Sequence, residues 1–243
     1  MAYKDQRNTL IWVLLLLTGG FLLTNMSSCG KGAGNASPTG LNIQYEVLNL
    51  SPDLGPINLF VKFTQVNTAG NPFIFGVNQG YFYVPATDTP YQFRSGLVGG
   101  APIPQLNSSE ILKSGAKYSL FITGSLLSNT LDTMFTVDTS LAPKTGYGKL
   151  RFLNASPSAT GGLDVYANGT SAFSGIVYRK HTDYMMLPAG NYDLQIDAKG
   201  TKSILSEQQA VTIQDGRLYT LYAYGYTTVV DSASFGSAVI TNK

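Results

Sequence analysis

A pattern that runs through the chain twice, in the same order, limits what this sequence can fold into. Leu48-Asn49-Leu50-Ser51-Pro52 returns as Leu153-Asn154-Ala155-Ser156-Pro157, and Ile57-Asn58-Leu59-Phe60-Val61 returns as Leu163-Asp164-Val165-Tyr166-Ala167. Val84-Pro85-Ala86, leading to Tyr91-Gln92-Phe93, returns as Leu187-Pro188-Ala189, leading to Tyr192-Asp193-Leu194. Ser114-Gly115-Ala116-Lys117-Tyr118-Ser119-Leu120 returns as Asp215-Gly216-Arg217-Leu218-Tyr219-Thr220-Leu221, and Gly124 is matched downstream by Gly225. Four blocks, each repeated after about a hundred residues, imply two copies of one folding unit. The copies are expected over residues 41–143 and 147–243, with the boundary near Leu141–Gly148.

The units read as β-structure, because their apolar residues alternate with a period of two. Leu150 and Phe152 fall on one face, with Lys149 and Arg151 on the other. Tyr192, Leu194 and Ile196 alternate with Asp193, Gln195 and Asp197, and Val211 and Ile213 alternate with Thr212 and Gln214. The runs end at Gly, Pro, Asn or Asp, as strands do. Asn168-Gly169 is a tight-hairpin signal, since both residues accept positive φ. No segment after the N-terminal apolar run carries a long helical stripe, so helix is expected to be minor. A glycine turn followed by a tyrosine, as in Asp215-Gly216-Arg217-Leu218-Tyr219, resembles the tyrosine corner of Ig-like sandwiches, where the phenol bonds back to the backbone. Tyr118 and Tyr219 are the candidates; the alternative is a strand aromatic with its hydroxyl in water.

The N-terminus has a different logic. Lys4 and Arg7 precede Leu10–Leu17, an apolar run interrupted by Thr18-Gly19-Gly20 and too short for a comfortable membrane span. Met26-Ser27-Ser28 then leads to Cys29, the only cysteine. This stretch resembles a bacterial lipoprotein signal peptide over residues 1–28, with Met26 where leucine is commonest. The resemblance implies a diacylglycerol-modified, acylated (palmitate-bearing) Cys29, and hence membrane lipid as a partner. The other reading is an uncleaved anchor helix with an incidental cysteine. Residues 29–40 hold four glycines and almost nothing to bury, and read as a flexible tether. No acidic run follows Cys29. In the Bacteroidetes lipoproteins that the chain resembles, this favours an outer-membrane anchor facing the periplasm over a surface-exposed one.

The quoted blocks, above all Leu153–Pro157, Leu163–Gly169, Leu187–Leu194 and Asp215–Leu221, look like the DUF4397 domain. That family is bacterial, secreted or surface-anchored and β-sandwich-like, with no established activity. The second copy carries the likeness over about residues 147–228, and the first more loosely, with Gly96–Pro104 lengthening its middle. The expected fold class is therefore all-β: two tandem Ig-like or transthyretin-like β-sandwiches after an N-terminal lipoprotein signal peptide.

Chemistry is sparse. Charged residues make up 12% of the chain and the net charge is +2, without the basic footprint that nucleic acid requires. One histidine and one cysteine supply a transition-metal site poorly, so no metal or other cofactor is expected. His181, beside Asp183, reads as part of an exposed loop rather than of a triad, because strand neighbours point to opposite faces and no nucleophile elbow is present. Asp53, Asp164, Asp193 and Asp197 read as turn or outer-face residues. Tyr222, Tyr224 and Tyr226 share one strand face, opposite Tyr219, Leu221 and Ala223. Such a row stacks on sugars or anchors a protein partner. The plainer reading is that the row packs across strands or is buried against the other domain. Asp132-Thr133-Met134 and Asp231-Ser232-Ala233 resemble the O-glycosylation sequon of Bacteroidetes envelope proteins, with Thr133 and Ser232 as acceptors.

These features point to a membrane-anchored envelope lipoprotein that is not an enzyme and that binds or scaffolds an envelope protein or glycan. One alternative is a carbohydrate-binding module that uses the tyrosine row. Another is a hydrolase with carboxylates in an inter-domain cleft.

Overall fold

The computed structural model describes residues 40–61, 64–68, 70–86, 91–95, 106–108, 112–231 and 233–242. The signal-like segment, Cys29 and most of the tether, and also Ser232, lie outside the described residues. Repeat 1 contributes β1 (Asn42–Asn49), β2 (Ile57–Val61), β3 (Thr64–Gln65), β4 (Phe82–Pro85), β5 (Tyr91–Ser95), β6 (Leu106–Ser108), β7 (Lys117–Thr123) and β8 (Asp132–Val137). Repeat 2 contributes β9 (Tyr147–Asn154), β10 (Leu163–Ala167), β11 (Thr170–Ile176), β12 (Lys180–His181), β13 (Met185–Pro188), β14 (Gly190–Ala198), β15 (Ile204–Ile213), β16 (Leu218–Tyr224) and β17 (Gly236–Thr241). Among the described residues there is no helix.

Each repeat is a two-sheet sandwich. In repeat 1, sheet β4-β1-β7-β8 covers sheet β3-β2-β5-β6; in repeat 2, sheet β12-β9-β16-β17 covers sheet β11-β10-β14-β15. The duplication extends to register. β1 runs parallel to β7, with Glu46 opposite Ser119 and Leu48 opposite Phe121. β9 runs parallel to β16, with Arg151 opposite Thr220 and Leu153 opposite Tyr222. The two cores are filled differently. Repeat 1 uses aromatics, with Tyr45 and Tyr91 at 6.0 Å and Phe73 stacked on Phe82 at 5.7 Å. Repeat 2 uses Leu150, Phe152, Val165, Leu194, Ile196 and Leu221.

The repeated Leu-Asn-x-Ser-Pro block has a physical reason. Asn49 and Asn154 are almost fully buried where β1 and β9 end. The Asn49 Oδ1 accepts from Ser51 N at 3.1 Å, and its Nδ2 donates to the Gly55 carbonyl at 2.9 Å. Asn154 repeats this with Ser156 N at 3.0 Å and the Ile176 carbonyl at 2.9 Å. One side chain therefore satisfies the backbone where the chain crosses from one sheet to the other. At the Asn168-Gly169 hairpin φ is 47° and 74°, as a primed turn requires.

The inner sheets, β4-β1-β7-β8 and β12-β9-β16-β17, also meet each other. Leu48, Leu50, Phe121 and Met134 pack against Leu153, Ala155, Tyr222 and Ile240 in a third apolar cluster between the repeats. Alternation along these strands sorts residues as expected, but the face opposite each sandwich core is an inter-repeat face, closed to solvent. The residues in contact are equivalents: Phe121 and Tyr222, which hold the same position in the two copies, have ring centroids 5.6 Å apart. The same patch of each copy faces its counterpart, as in an isologous dimer, but within one chain.

Candidate functional site

The polar half of this seam is built from four positions used twice. Repeat 1 supplies Glu46, Tyr81, Ser119 and Asp138; repeat 2 supplies Arg151, Tyr184, Thr220 and Asn242. Their equivalence follows from register, since Glu46 and Arg151 pair with Ser119 and Thr220, and Asp138 N and Asn242 N bond to the Lys117 and Leu218 carbonyls. Tyr81 and Tyr184 immediately precede Phe82 and Met185, which sit opposite Tyr45 and Leu150. Within repeat 1, Tyr81 Oη donates to Asp138 Oδ2 at 2.8 Å; within repeat 2, Tyr184 Oη lies 3.1 Å from Asn242 Oδ1 and Thr220 Oγ1 2.7 Å from it.

Across the seam the two sets interlock. Arg151, 3% exposed, forms an ion pair with Asp138. Its Nε donates to Thr220 Oγ1 at 2.8 Å, Nη1 to the Val137 carbonyl at 2.9 Å, and Nη2 also to Thr136 Oγ1 at 2.9 Å. Asn242 Nδ2 donates to Tyr81 Oη at 2.8 Å, and Lys117 Nζ donates to the Asn242 carbonyl at 3.1 Å. Arg151 also lies over the Tyr184 ring, 4.7 Å from its centroid, and Lys117 lies over Tyr81 at the same distance. Burial pushes the Tyr184 phenol up to about 12, with Arg151 pulling the other way.

Ser119 Oγ lies 2.6 Å from Asp138 Oδ2 and 3.0 Å from Glu46 Oε2. One hydroxyl proton serves one carboxylate only. Asp138 also accepts from Arg151, Tyr81 and Thr136, so the Ser119 hydroxyl is shared between two carboxylates and donates to one of them at a time. Burial raises the Glu46 carboxyl to about 7, the Ser119 and Asn78 hydrogen bonds and Lys117 lower it, and the Asp138 charge adds to the rise.

Beside this network the seam opens into a groove of about 440 Å³. Phe135, Val137, Thr139 and Ser140 form the repeat 1 wall, and Lys149, Arg151 and His181–Tyr184 the repeat 2 wall. Lys149 Nζ donates to Ser140 Oγ at 3.1 Å and to the Leu141 carbonyl at 2.9 Å, bracing the segment that joins the repeats. A second cavity, about 250 Å³, lies at one end of repeat 2 between Ser158, Gly161, Gly162, Lys199, Leu205 and Thr227.

A family model described as a domain of unknown function, DUF4397, matches residues 44–161 and again 158–243. The chain belongs to the DUF4397 family. No curated protein matches it. The first DUF4397 match runs on through β9, which strand pairing gives to repeat 2, since β9 joins β12, β13 and β16.

Within this DUF4397 pair, several residues picked out from sequence sit elsewhere than expected. The tyrosine row is not an open surface. Tyr222 is 2% exposed against Phe121, and Tyr224 packs 5.9 Å from Tyr222 and edge-on to Phe75 at 6.0 Å. Tyr226 is half-buried, and burial raises its phenol, with the Asp53 charge adding to the rise. The cause is the covering repeat, which a single-strand pattern does not reveal. Asp164, between Leu163 and Val165, and Asp197, after Ile196, lie on the face opposite the core, as expected, but they are buried there rather than open to solvent. Asp164 accepts from Gly200 N at 2.8 Å, Ser174 Oγ at 2.7 Å and Gly175 N at 2.7 Å; the Gly200 bond leads in holding its carboxyl below the usual range. Asp197 accepts from Gln195 Nε2 at 2.8 Å.

Asp53 does sit in a turn, and it accepts from Ser125 Oγ at 2.6 Å, Leu126 N at 2.9 Å and Leu127 N at 3.0 Å. Asp193, exposed, accepts from Ala210 N at 2.8 Å. The phenol oxygens of Tyr118 and Tyr219 accept from the backbone N–H five residues upstream, Lys113 at 2.8 Å and Gln214 at 3.0 Å. His181 is exposed but sits on β12, paired opposite Leu153, rather than in a free loop. Thr133 is half-buried in β8, beside Asp132, which pairs with Arg179 at 2.6 Å. The seam residues Glu46, Asp138, Thr220 and Asn242 were not singled out from sequence. The available signal was the alignment of the two copies, which sets Glu46 against Arg151.

Proposed function

We propose that this chain is a membrane-anchored lipoprotein of the bacterial envelope, held by an acylated Cys29, with a non-catalytic binding or scaffolding role. The observation that carries the reading is the use made of the buried ionisable groups. Glu46, Asp138 and Arg151 bond to one another's partners and lock the two sandwiches together, which suits a body that presents surfaces. Several acyl chains on one residue give stable anchoring where a single chain does not. A hydrolase would need carboxylates open to substrate, and Glu46 and Asp138 are each 1% exposed.

Growing the producing cells with an alkyne-bearing palmitate analogue tests the anchor. The wild-type chain is expected to take up label and partition into membranes, and Cys29→Ser to lose both. Equal labelling of the Cys29→Ser chain would overturn the reading.

A further inference from the structure

The two copies serve as each other's control, and at the groove they differ in one direction. Lys149 stands where repeat 1 has Gln44, and Arg151 where it has Glu46. His181 stands where repeat 1 has Asn78. That last equivalence is fixed by Arg179 N and Gly76 N, which bond to the Asn154 and Asn49 carbonyls, and by Tyr184 and Tyr81 three residues on. Three neutral or acidic positions have thus become three basic residues, and all three line the same groove. Asp183 is the single acidic residue in that lining.

The groove's donors are not used up. An ammonium has three N–H groups, and Lys149 uses two. A guanidinium has five, and Arg151 has one Nη1 N–H without a bonded partner among the described residues. The His181 Nδ1 lies 3.2 Å from the Thr182 carbonyl, and its ring is exposed. Around these donors are the hydroxyls of Thr139, Ser140 and Thr182 and the half-exposed side chain of Val137. The volume is in the range that takes small organic ligands.

We propose that this groove binds an acidic saccharide through the carboxylate of a uronic-acid residue. The carboxylate meets the Lys149 ammonium, where a charge-assisted bond is strongest, with the nearly buried Arg151 in the groove wall beside it. The ring hydroxyls meet Thr139, Ser140 and His181, and the ring's apolar face lies on Val137. Inorganic phosphate would satisfy the cations but leave the hydroxyl and apolar walls without partners. The inference rests on the reading of this body as a binding module and gives it a ligand class.

The sequence has one histidine, so the His181 imidazole C–H signals in a proton NMR spectrum report on the groove alone. The full chain in detergent micelles is titrated with trigalacturonic acid, with the neutral galactose trisaccharide, and with inorganic phosphate. A saturable shift of the His181 signals is expected with the acid only, and Lys149→Met should weaken it at least tenfold. Because Lys149 also braces the inter-repeat segment, His181→Gln is measured in parallel by calorimetry and should weaken binding about threefold to tenfold. No shift with the acid, an equal shift with the neutral sugar, binding unchanged in both variants, or phosphate binding as tightly as the acid would each overturn the proposal. Fatty-acid labelling at Cys29 is read separately, so loss of the groove would leave the anchor standing.

Discussion

Glu46 and Arg151 hold the same position in the two copies, are an acid and a base, and are both buried in the seam where the copies meet. In an exact duplicate that seam would place like against like. Two arginines or two glutamates there would repel in a low-dielectric setting. The divergence makes one inner face acidic, through Glu46 and Asp138, and the other basic, through Arg151 with Asn242 in place of the second carboxylate. Repeat 1 therefore fits repeat 2 better than either fits a copy of itself, which is discrimination by like-charge penalty.

Removing Arg151 alone should be costly, because Asp138 is left buried without its cation. Arg151→Met is expected to destabilise the fold by about 3–5 kcal/mol in urea unfolding. The double variant Arg151→Met, Asp138→Leu should recover most of that loss, since a buried pair and a packed apolar replacement lie close in free energy. A double variant as unstable as the sum of the two single changes would show no coupling between Arg151 and Asp138 and would overturn this account.

Glu46 makes stability depend on pH near neutrality. Its folded value, about 7, lies above the ordinary 4.5, so between these values the folded chain holds a proton that the unfolded chain has released. Stability attached to Glu46 is therefore present below about pH 4.5 and lost as pH rises to 7. The rise corresponds to about 3 kcal/mol at most. Glu46→Gln, which keeps the size of the side chain, keeps an oxygen that can accept from Ser119 and removes the titration, should flatten the pH 5–8 part of the unfolding profile. Asp53 acts in the opposite sense. Although burial raises it, the hydrogen bonds from Ser125, Leu126, Leu127 and Ser51 hold it at about 2, so its stabilisation disappears only as pH falls below the usual carboxylate range.

The tyrosine row should behave as packing. Phe121→Ala and Tyr222→Ala are each expected to cost about 3–5 kcal/mol, as large-to-small changes in a closed interior do. Tyr222→Phe keeps the ring and should change stability by less than about 1 kcal/mol. Thermal unfolding of the three variants separates these outcomes. A Tyr222→Phe variant as unstable as Tyr222→Ala would mean that the hydroxyl, not the ring, matters.

Gly124 and Gly225 close the matching β7–β8 and β16–β17 connections at φ of 90° and 75°. A Cβ at either would overlap a facing carbonyl, that of Thr130 or of Ser234. Gly225→Ala should therefore cost about 1–3 kcal/mol, combining backbone strain with the clash. Ala at Gly216, also at positive φ but with open space around it, should cost less; equal losses would rule out the clash as the cause.

Much of this was legible along the chain because it is local. The duplication, the alternation of Leu150 and Phe152 with Arg151, the Asn168-Gly169 turn and the repeated asparagine blocks each depend on neighbouring residues, and neighbouring residues set strand faces and turns. Alternation also assigned Tyr222 to the face opposite Leu221. What lies on that face is a question of which surface arrives from about a hundred residues away, and no period in one strand encodes it.

By itself the sequence determined that there are two β-sandwich units of one family and which side chains along a strand point the same way. Only the tertiary structure decided that the outer faces of β7 and β16 are one interior. It also decided that Glu46, Asp138 and Arg151 are partners, and that basic residues gather in the groove beside them. The reason is that direction along a strand is a property of the local backbone, whereas burial and charge pairing are properties of whatever the fold brings opposite.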